Sequence, residues 1–171
     1  MRLLGLDPGL RHTGWGVIEV RGNELRHVAC GVVDSVDGEA LAERLGTIYH
    51  GLAEVIRAHV PHEAAVEETV VNKNALSSLK LGHARGVILL AASHAGLPVS
   101  EYGAKQVKKS VTGTGAADKE QVAMMVRFLL PGSGAVRSDA SDALAVAICH
   151  AHTRASNARI GAARQMAGAR P

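Results

Sequence analysis

Four acidic residues stand where packing gives them no ordinary reason to be. Asp7 follows Leu3-Leu4-Gly5-Leu6, at the carboxyl end of a short apolar run that reads as a buried strand. Glu67 follows Ala64-Ala65-Val66 in the same way, with Glu68 beside it. In open α/β sheets, ligands bind beyond such strand ends. Asp139 and Asp142 lie three apart at the start of a helix and share a face. The next turns of that helix (Ala143, Leu144, Val146, Ala147, Ile148) are apolar nearly all round, so the helix is expected to be buried. Buried carboxylates are costly unless they are paired or bound to a metal. Each acid alone has a plain explanation. Asp7 could start an Asx turn into Pro8-Gly9, Glu67 could be a surface strand end, and Asp139 or Asp142 could complement a helix dipole. Together they favour a metal site. Carboxylate oxygens with no Cys or His in the pattern point to magnesium or manganese. Two such ions can clamp the attacking and leaving oxygens in phosphoryl transfer.

Cations accompany these acids. Lys105, Lys108 and Lys109 fall on one helix face, opposite Val107 and Val111. Lys73 lies six residues past Glu67, within reach of a phosphate backbone. Gly113-Thr114-Gly115 leads into a helix with Lys119 in its first turn. That loop is either a phosphate cradle of backbone amides or a simple turn. Whether the stripe of Lys105, Lys108 and Lys109 faces phosphate or is an ordinary solvated face is left even by the residues alone. His150 and His152 are two apart, cannot share a helical face as ligands, and read as structural or surface residues.

The elements that must hold these groups follow from periodicity. Residues 2–7, 13–20 and 25–34 read as strands, the last two joined by a Gly22-Asn23 turn. Residues 38–60 carry a helical stripe of Leu41, Leu45, Ile48, Leu52, Val55 and Ile56, stopped by Pro61. A strand over 64–67, a helix over 74–95 and a strand over 98–102 follow. Helices are predicted over 104–111, 117–130 and 138 to about 154. Gly82 and Gly86 in the second helix allow close approach, either to the sheet or to a second copy of the chain. Strands first, then alternating helix and strand, predict an α/β domain with a mixed sheet.

Bulk properties agree with one such domain. The chain has 171 residues, 47% of them apolar, and no run long enough to span a membrane. Asp7 comes too early for a secretory signal, and Cys30 and Cys149 form no CxxC pair, so a reducing cytoplasm is expected. The net charge of +3 is unevenly spread. Residues 1–69 hold six Lys/Arg against eleven Asp/Glu, residues 70–138 nine against three, and beyond Asp142 only arginines carry charge. A basic second half suits a polyanion. With 2% aromatics, binding mainly by stacking bases is disfavoured.

Several segments together resemble the RuvC family of crossover junction endodeoxyribonucleases. They are Leu6-Asp7-Pro8-Gly9 with Thr13-Gly14-Trp15-Gly16-Val17, Val66-Glu67 with Lys73-Asn74-Ala75, the run from Leu79 to Val87, and Asp139-Ala140-Ser141-Asp142-Ala143-Leu144-Ala145. The likeness covers residues 3 to 152 in order. It implies a ribonuclease H-like fold, with a mixed five-stranded sheet flanked by helices. The single domain is expected over residues 1–155, and the Ala/Arg/Gly-rich residues 156–171 are expected to fray as a basic, flexible tail. The resemblance implies a homodimer that resolves four-way DNA junctions by paired, symmetric nicks in strands of like polarity. It implies Mg²⁺, two ions per site, with Mn²⁺ as a substitute, and work beside RuvA and RuvB in a bacterial cytoplasm. It places metal binding and catalysis on Asp7, Glu67, Asp139 and Asp142, choosing Glu67 over Glu68, and puts Lys108 and Lys119 at the scissile phosphate. Family members can carry an aromatic wedge in the loop after the glutamate. Here Val70 stands at that place, and an aliphatic wedge is the corresponding expectation. The acid pattern by itself also suits a nuclease of RNA–DNA hybrids. Asp7-Pro8-Gly9 with Thr13-Gly14 suits a sugar-kinase or actin-like phosphate loop, although 171 residues are too few for that two-domain plan. A binding module without chemistry would need no carboxylate cluster.

Overall fold

The computed structural model describes residues 1–68 and 74–168. β1 (Arg2–Asp7), β2 (His12–Arg21) and β3 (Glu24–Asp34) form an antiparallel meander, turned at Gly22-Asn23. α1 (Leu41–His59) leads to β4 (Glu63–Glu67), and α2 (Ala75–His94) leads to β5 (Val99–Tyr102). β4 pairs parallel to β1, and β5 parallel to β4. The result is the expected mixed five-stranded sheet, in the order β3-β2-β1-β4-β5. α3 (Ala104–Thr112), α4 (Lys119–Leu129), a single 3₁₀ turn (Pro131–Ser133) and α5 (Ser138–Gly168) complete the chain.

Alternation along the strands divides the apolar residues between two cores. Leu4, Leu6, Val17, Ala64 and Val66 pack against α1 and α2 on one face. Leu3, Ile18 and Ala65 pack with α3, α4 and α5 on the other. The stripe read from α1 is the one it buries, through Ile48, Leu52, Val55 and Ile56. α5 is enclosed on all sides in its N-terminal half, where every residue from Ala143 to His150 is at most 3% exposed. A helix this enclosed must lie very close to the sheet, and glycines make that possible. A Cβ on Gly5 would stand 2.0 Å from the Ala143 carbonyl oxygen, and one on Gly16 2.7 Å from Leu144 Cδ2. The close approach expected at Gly82 and Gly86 does not occur against the sheet. A Cβ at either meets nothing within 4 Å among the described residues, because both face away from the core.

Most boundaries fall within two residues of expectation. Asn74 caps α2 by accepting the Ser77 N–H at 3.1 Å. α4 begins at Lys119 because Asp118 and Gln121 form a reciprocal capping box that fixes the start there. α5 does not stop near Arg154 but continues to Gly168. Ala155, Ala158, Ala162, Ala163 and Ala167 give this stretch high helix propensity, and no proline interrupts it before Pro171.

Candidate active site

β1 and β4 are adjacent and parallel, with Leu6 opposite Val66, so Asp7 and Glu67 leave the sheet side by side at one end. α5 brings the other two acids there. Gly14 is the β2 partner of Asp7, and the Asp139 carbonyl oxygen lies 2.0 Å from where a Gly14 Cβ would be. The first turn of α5 therefore rests directly on the strand end, and Asp142 follows one turn on. The strand position also separates Glu67 from its neighbour. Glu67 is half-buried, whereas Glu68 is exposed and turns toward Gly103.

Charge shows how closely the four acids are coupled. Burial, then repulsion from Glu67, Asp142 and Asp139, pushes the Asp7 carboxyl up to about 8, against the pull of Lys119. Burial also raises Glu67, aided by Asp142 and opposed by Lys119 and Lys108. Asp142 is raised by burial, opposed by Lys119, whose Nζ lies 3.4 Å from its Oδ2. The Asp142 charge in turn raises Lys119. Among the described residues, no three Asp, Glu, His or Cys side chains already converge as a metal cage. The four carboxylates are nonetheless brought to one sheet end by β1, β4 and the start of α5, near enough for Glu67, Asp142 and Asp139 to act on Asp7. An all-oxygen set in which burial and neighbouring acids raise Asp7, Glu67 and Asp142 suits a hard divalent cation.

The cations fall into place unevenly. Lys119, in the first turn of α4, and half-buried Lys108, on α3, both act on the acid cluster. Lys105 and Lys109 are exposed on the same helix, whose Val107 and Val111 are buried, as the spacing predicts. Lys73 and Val70 lie outside the described residues. The Gly113-Thr114-Gly115 loop is organised as a turn. The Gly113 amide closes α3 on the Lys109 carbonyl, and the Thr114 and Ala116 amides bond to the Thr112 and Thr114 hydroxyls. Those amides are engaged within the loop rather than presented to phosphate. His150 is structural, as expected, bonded to Tyr102 Oη at 2.7 Å and to Glu63 at 2.8 Å. His152 lies at the surface beside Ser110.

The sequence reading missed a cation beside Asp139. Arg137, just before α5, approaches Asp139 to 3.9 Å while gripping Asp34. A signal was available. Asp34 ends β3, which runs in the same direction as β1, so the strand-end rule that selected Asp7 applies to it as well. The part played by Gly5 and Gly14 gave no such signal, since it depends on which helix crosses them.

Comparison with known proteins places this arrangement. The family model described as "Crossover junction endodeoxyribonuclease RuvC" matches residues 3–150. The protein of that name from Gluconobacter oxydans is 59% identical over 167 residues, covering 98% of this chain and 99% of its own length. That from Gluconacetobacter diazotrophicus is 60% identical over 168 residues, with coverage of 98% and 99%. Among solved structures, T. thermophilus RuvC in complex with Holliday junction substrate matches with a TM-score of 0.86 and 40% identity, covering 92% of this chain and 96% of that one. The fold is ribonuclease H-like, as the resemblance implied. With the match running through β1, β4 and the buried part of α5, the elements that carry all four acids, this chain belongs to the RuvC family of crossover junction endodeoxyribonucleases.

Proposed function

We propose that this chain is a Holliday junction resolvase that hydrolyses phosphodiesters with two Mg²⁺ ions held by Asp7, Glu67, Asp139 and Asp142. The observation that carries the reading is that β1, β4 and the first turn of α5 bring these acids to one sheet end, where burial, then repulsion from the other three, raises Asp7 to about 8. Bound divalent ions would supply an activated water and offset charge on the leaving oxygen. The chain's own groups do the rest. The four carboxylates hold the ions, and Lys119 and Lys108 balance the acid charge while meeting the scissile phosphate. Exposed Lys105 and Lys109, together with Lys73, contact the flanking phosphates, and Val70 serves as an aliphatic wedge at the junction centre. The T. thermophilus relative, solved on a Holliday junction substrate, supports the branched substrate.

Paired nicks require two sites, so we take the active form to be a two-fold homodimer. α2 offers the surface for it. Leu79, Gly82, Gly86 and Leu90 follow one another at helical spacing on its outer side, with Leu76 nearby, and the three leucines are exposed. Bare glycines there let a second helix approach closely. RuvA and RuvB are the proposed partners and the bacterial cytoplasm the proposed compartment. No helix among the described residues is long and apolar enough to cross a membrane.

The test is incubation with a synthetic four-way junction, its linear duplex and an RNA–DNA hybrid, with Mg²⁺, Mn²⁺ or chelator. Paired nicks in the junction alone, lost with chelator, are expected; faster cutting of the hybrid would replace the substrate. Lys108→Ala should slow junction nicking by about 10²-fold, the usual scale for losing one group that stabilises transition-state charge. Because Lys108 is only half-buried, the variant's unfolding free energy should change by no more than about 1 kcal/mol. A fall in thermal stability matching the loss of rate would contradict the assignment.

A further inference from the structure

The arginine beside Asp139 is held by a built device. Arg137 precedes the helical turns of α5, and its carbonyl accepts the Ser141 N–H at 3.0 Å. Its guanidinium donates twice to Asp34, from Nη1 to Oδ2 at 2.7 Å and from Nη2 to Oδ1 at 3.1 Å. His12 is the cross-strand partner of Asp34, and its Nδ1 lies 2.6 Å from the same Oδ1. At that distance from a carboxylate, Nδ1 is the donor. Its 3.1 Å approach to Arg137 Nη2 is then a packing contact between two donors. Three elements, β2, β3 and the start of α5, thus meet at one carboxylate.

The same Nη2 stands 3.9 Å from Asp139 Oδ2, too far for a hydrogen bond and near enough for its charge to act. Arg137 therefore has two carboxylates within reach and is bound by the one outside the site. A bidentate charge-assisted pair is the stronger arrangement and fixes the guanidinium plane. We propose that Asp34, steadied by His12, holds Arg137 off Asp139, so that Asp139 stays open to a divalent cation while the start of α5 remains anchored. Arg137 and Asp34 are positioning residues under this proposal, which rests on Asp139 being a metal ligand. Without the Asp34 charge, the guanidinium's nearest anion is Asp139. A shift of less than about 1 Å would close a hydrogen-bonded pair there, and that pair would compete with the ion.

The experiment is calorimetric titration of the DNA-free full-length protein with Mg²⁺, with thermal unfolding and junction binding in chelator alongside. Asp34→Asn should weaken Mg²⁺ binding by about tenfold, the scale of coupling between groups in contact. Asp37→Asn removes an equal charge nearby, from the pairs with Arg11 and Arg44, and should change binding by less than about twofold. In the Arg137→Gln background, Asp34→Asn should have no more effect than Asp37→Asn, because no guanidinium remains to close on Asp139. Equal effects of the Asp34 and Asp37 substitutions, or an Asp34 effect that persists without Arg137, would overturn the proposal. So would loss of junction affinity in chelator by Arg137→Gln with Mg²⁺ binding unchanged, since Arg137 would then be a phosphate contact. Mg²⁺ binding unchanged by Asp139→Asn would remove Asp139 from the ligand set, and this proposal with it.

Discussion

Asp7→Asn is expected to abolish junction nicking, by roughly 10³-fold or more, while leaving junction binding in chelator intact. A metal ion held by the site contributes several kcal/mol of transition-state stabilisation, and each 1.36 kcal/mol is a factor of ten in rate. The amide keeps the shape of the side chain but supplies a poorer, neutral ligand. The same substitution should stabilise the metal-free protein at alkaline pH. The folded Asp7 carboxyl titrates near 8 against an ordinary 3.8. Between those values the folded state keeps a proton that the unfolded state has released, so stability falls as pH rises from about 4 to about 8. Asn carries no such charge. Without metal, the variant should match the parent near pH 4 and unfold at least about 5 °C higher at pH 8, since 1 kcal/mol corresponds to about 2–4 °C in a chain of this size. Added Mg²⁺ should narrow or reverse that gap, because the ion stabilises only the parent by binding its folded state. Thermal unfolding at both pH values, with chelator and with Mg²⁺, checks this. A variant less stable than the parent at pH 8 in chelator would mean that Asp7 is not a strained, desolvated carboxylate.

Gly14→Ala is the other large effect, although it adds one methyl and no charge. The new Cβ would lie 2.0 Å from the Asp139 carbonyl oxygen and 2.5 Å from its carbon. Both are backbone atoms, so no side chain can turn aside, and the first turn of α5 must lift from the strand. Overpacking of this kind costs about 1–3 kcal/mol, sometimes more. The expected fall in melting temperature is about 5–10 °C. Catalysis should suffer beyond that, because Asp139 and Asp142 ride on the displaced turn. A misplacement of about 1 Å can cost about 10²-fold in rate. The measurement compares nicking rate and Mg²⁺ dependence well below the melting temperature, where the variant is folded. Gly46→Ala is the control: it lies inside α1 with nothing within 4 Å of its Cβ, and should be neutral or stabilising by about 0.5–1 kcal/mol. Normal nicking by folded Gly14→Ala would show that α5 can shift without disturbing the acids.

Local patterns in the chain were enough to place the elements and to nominate the four acids. Period-two and period-3.6 apolar spacing reports which side of each segment avoids water, and this is a property of short stretches. Acids interrupting such segments at strand ends stand out for the same reason. That is why Asp7, Glu67, Asp139 and Asp142 could be nominated before any fold was known. The helix of residues 138–168 was legible at its start, where polarity changes sharply, and not at its end, where alanine propensity continues it without a patterned face. What neighbours what was decided only by tertiary structure. Gly5, Gly14 and Gly16 look like ordinary strand glycines until α5 is laid across them, and Gly82 and Gly86 look like contact glycines until α2 turns them outward. The partnership of Arg137 with Asp34 joins residues 103 apart, and no local pattern encodes a pair so distant. The raised Asp7 carboxyl likewise depends first on its burial and then on three acids brought from β4 and α5, since desolvation and charge act through space rather than along the chain.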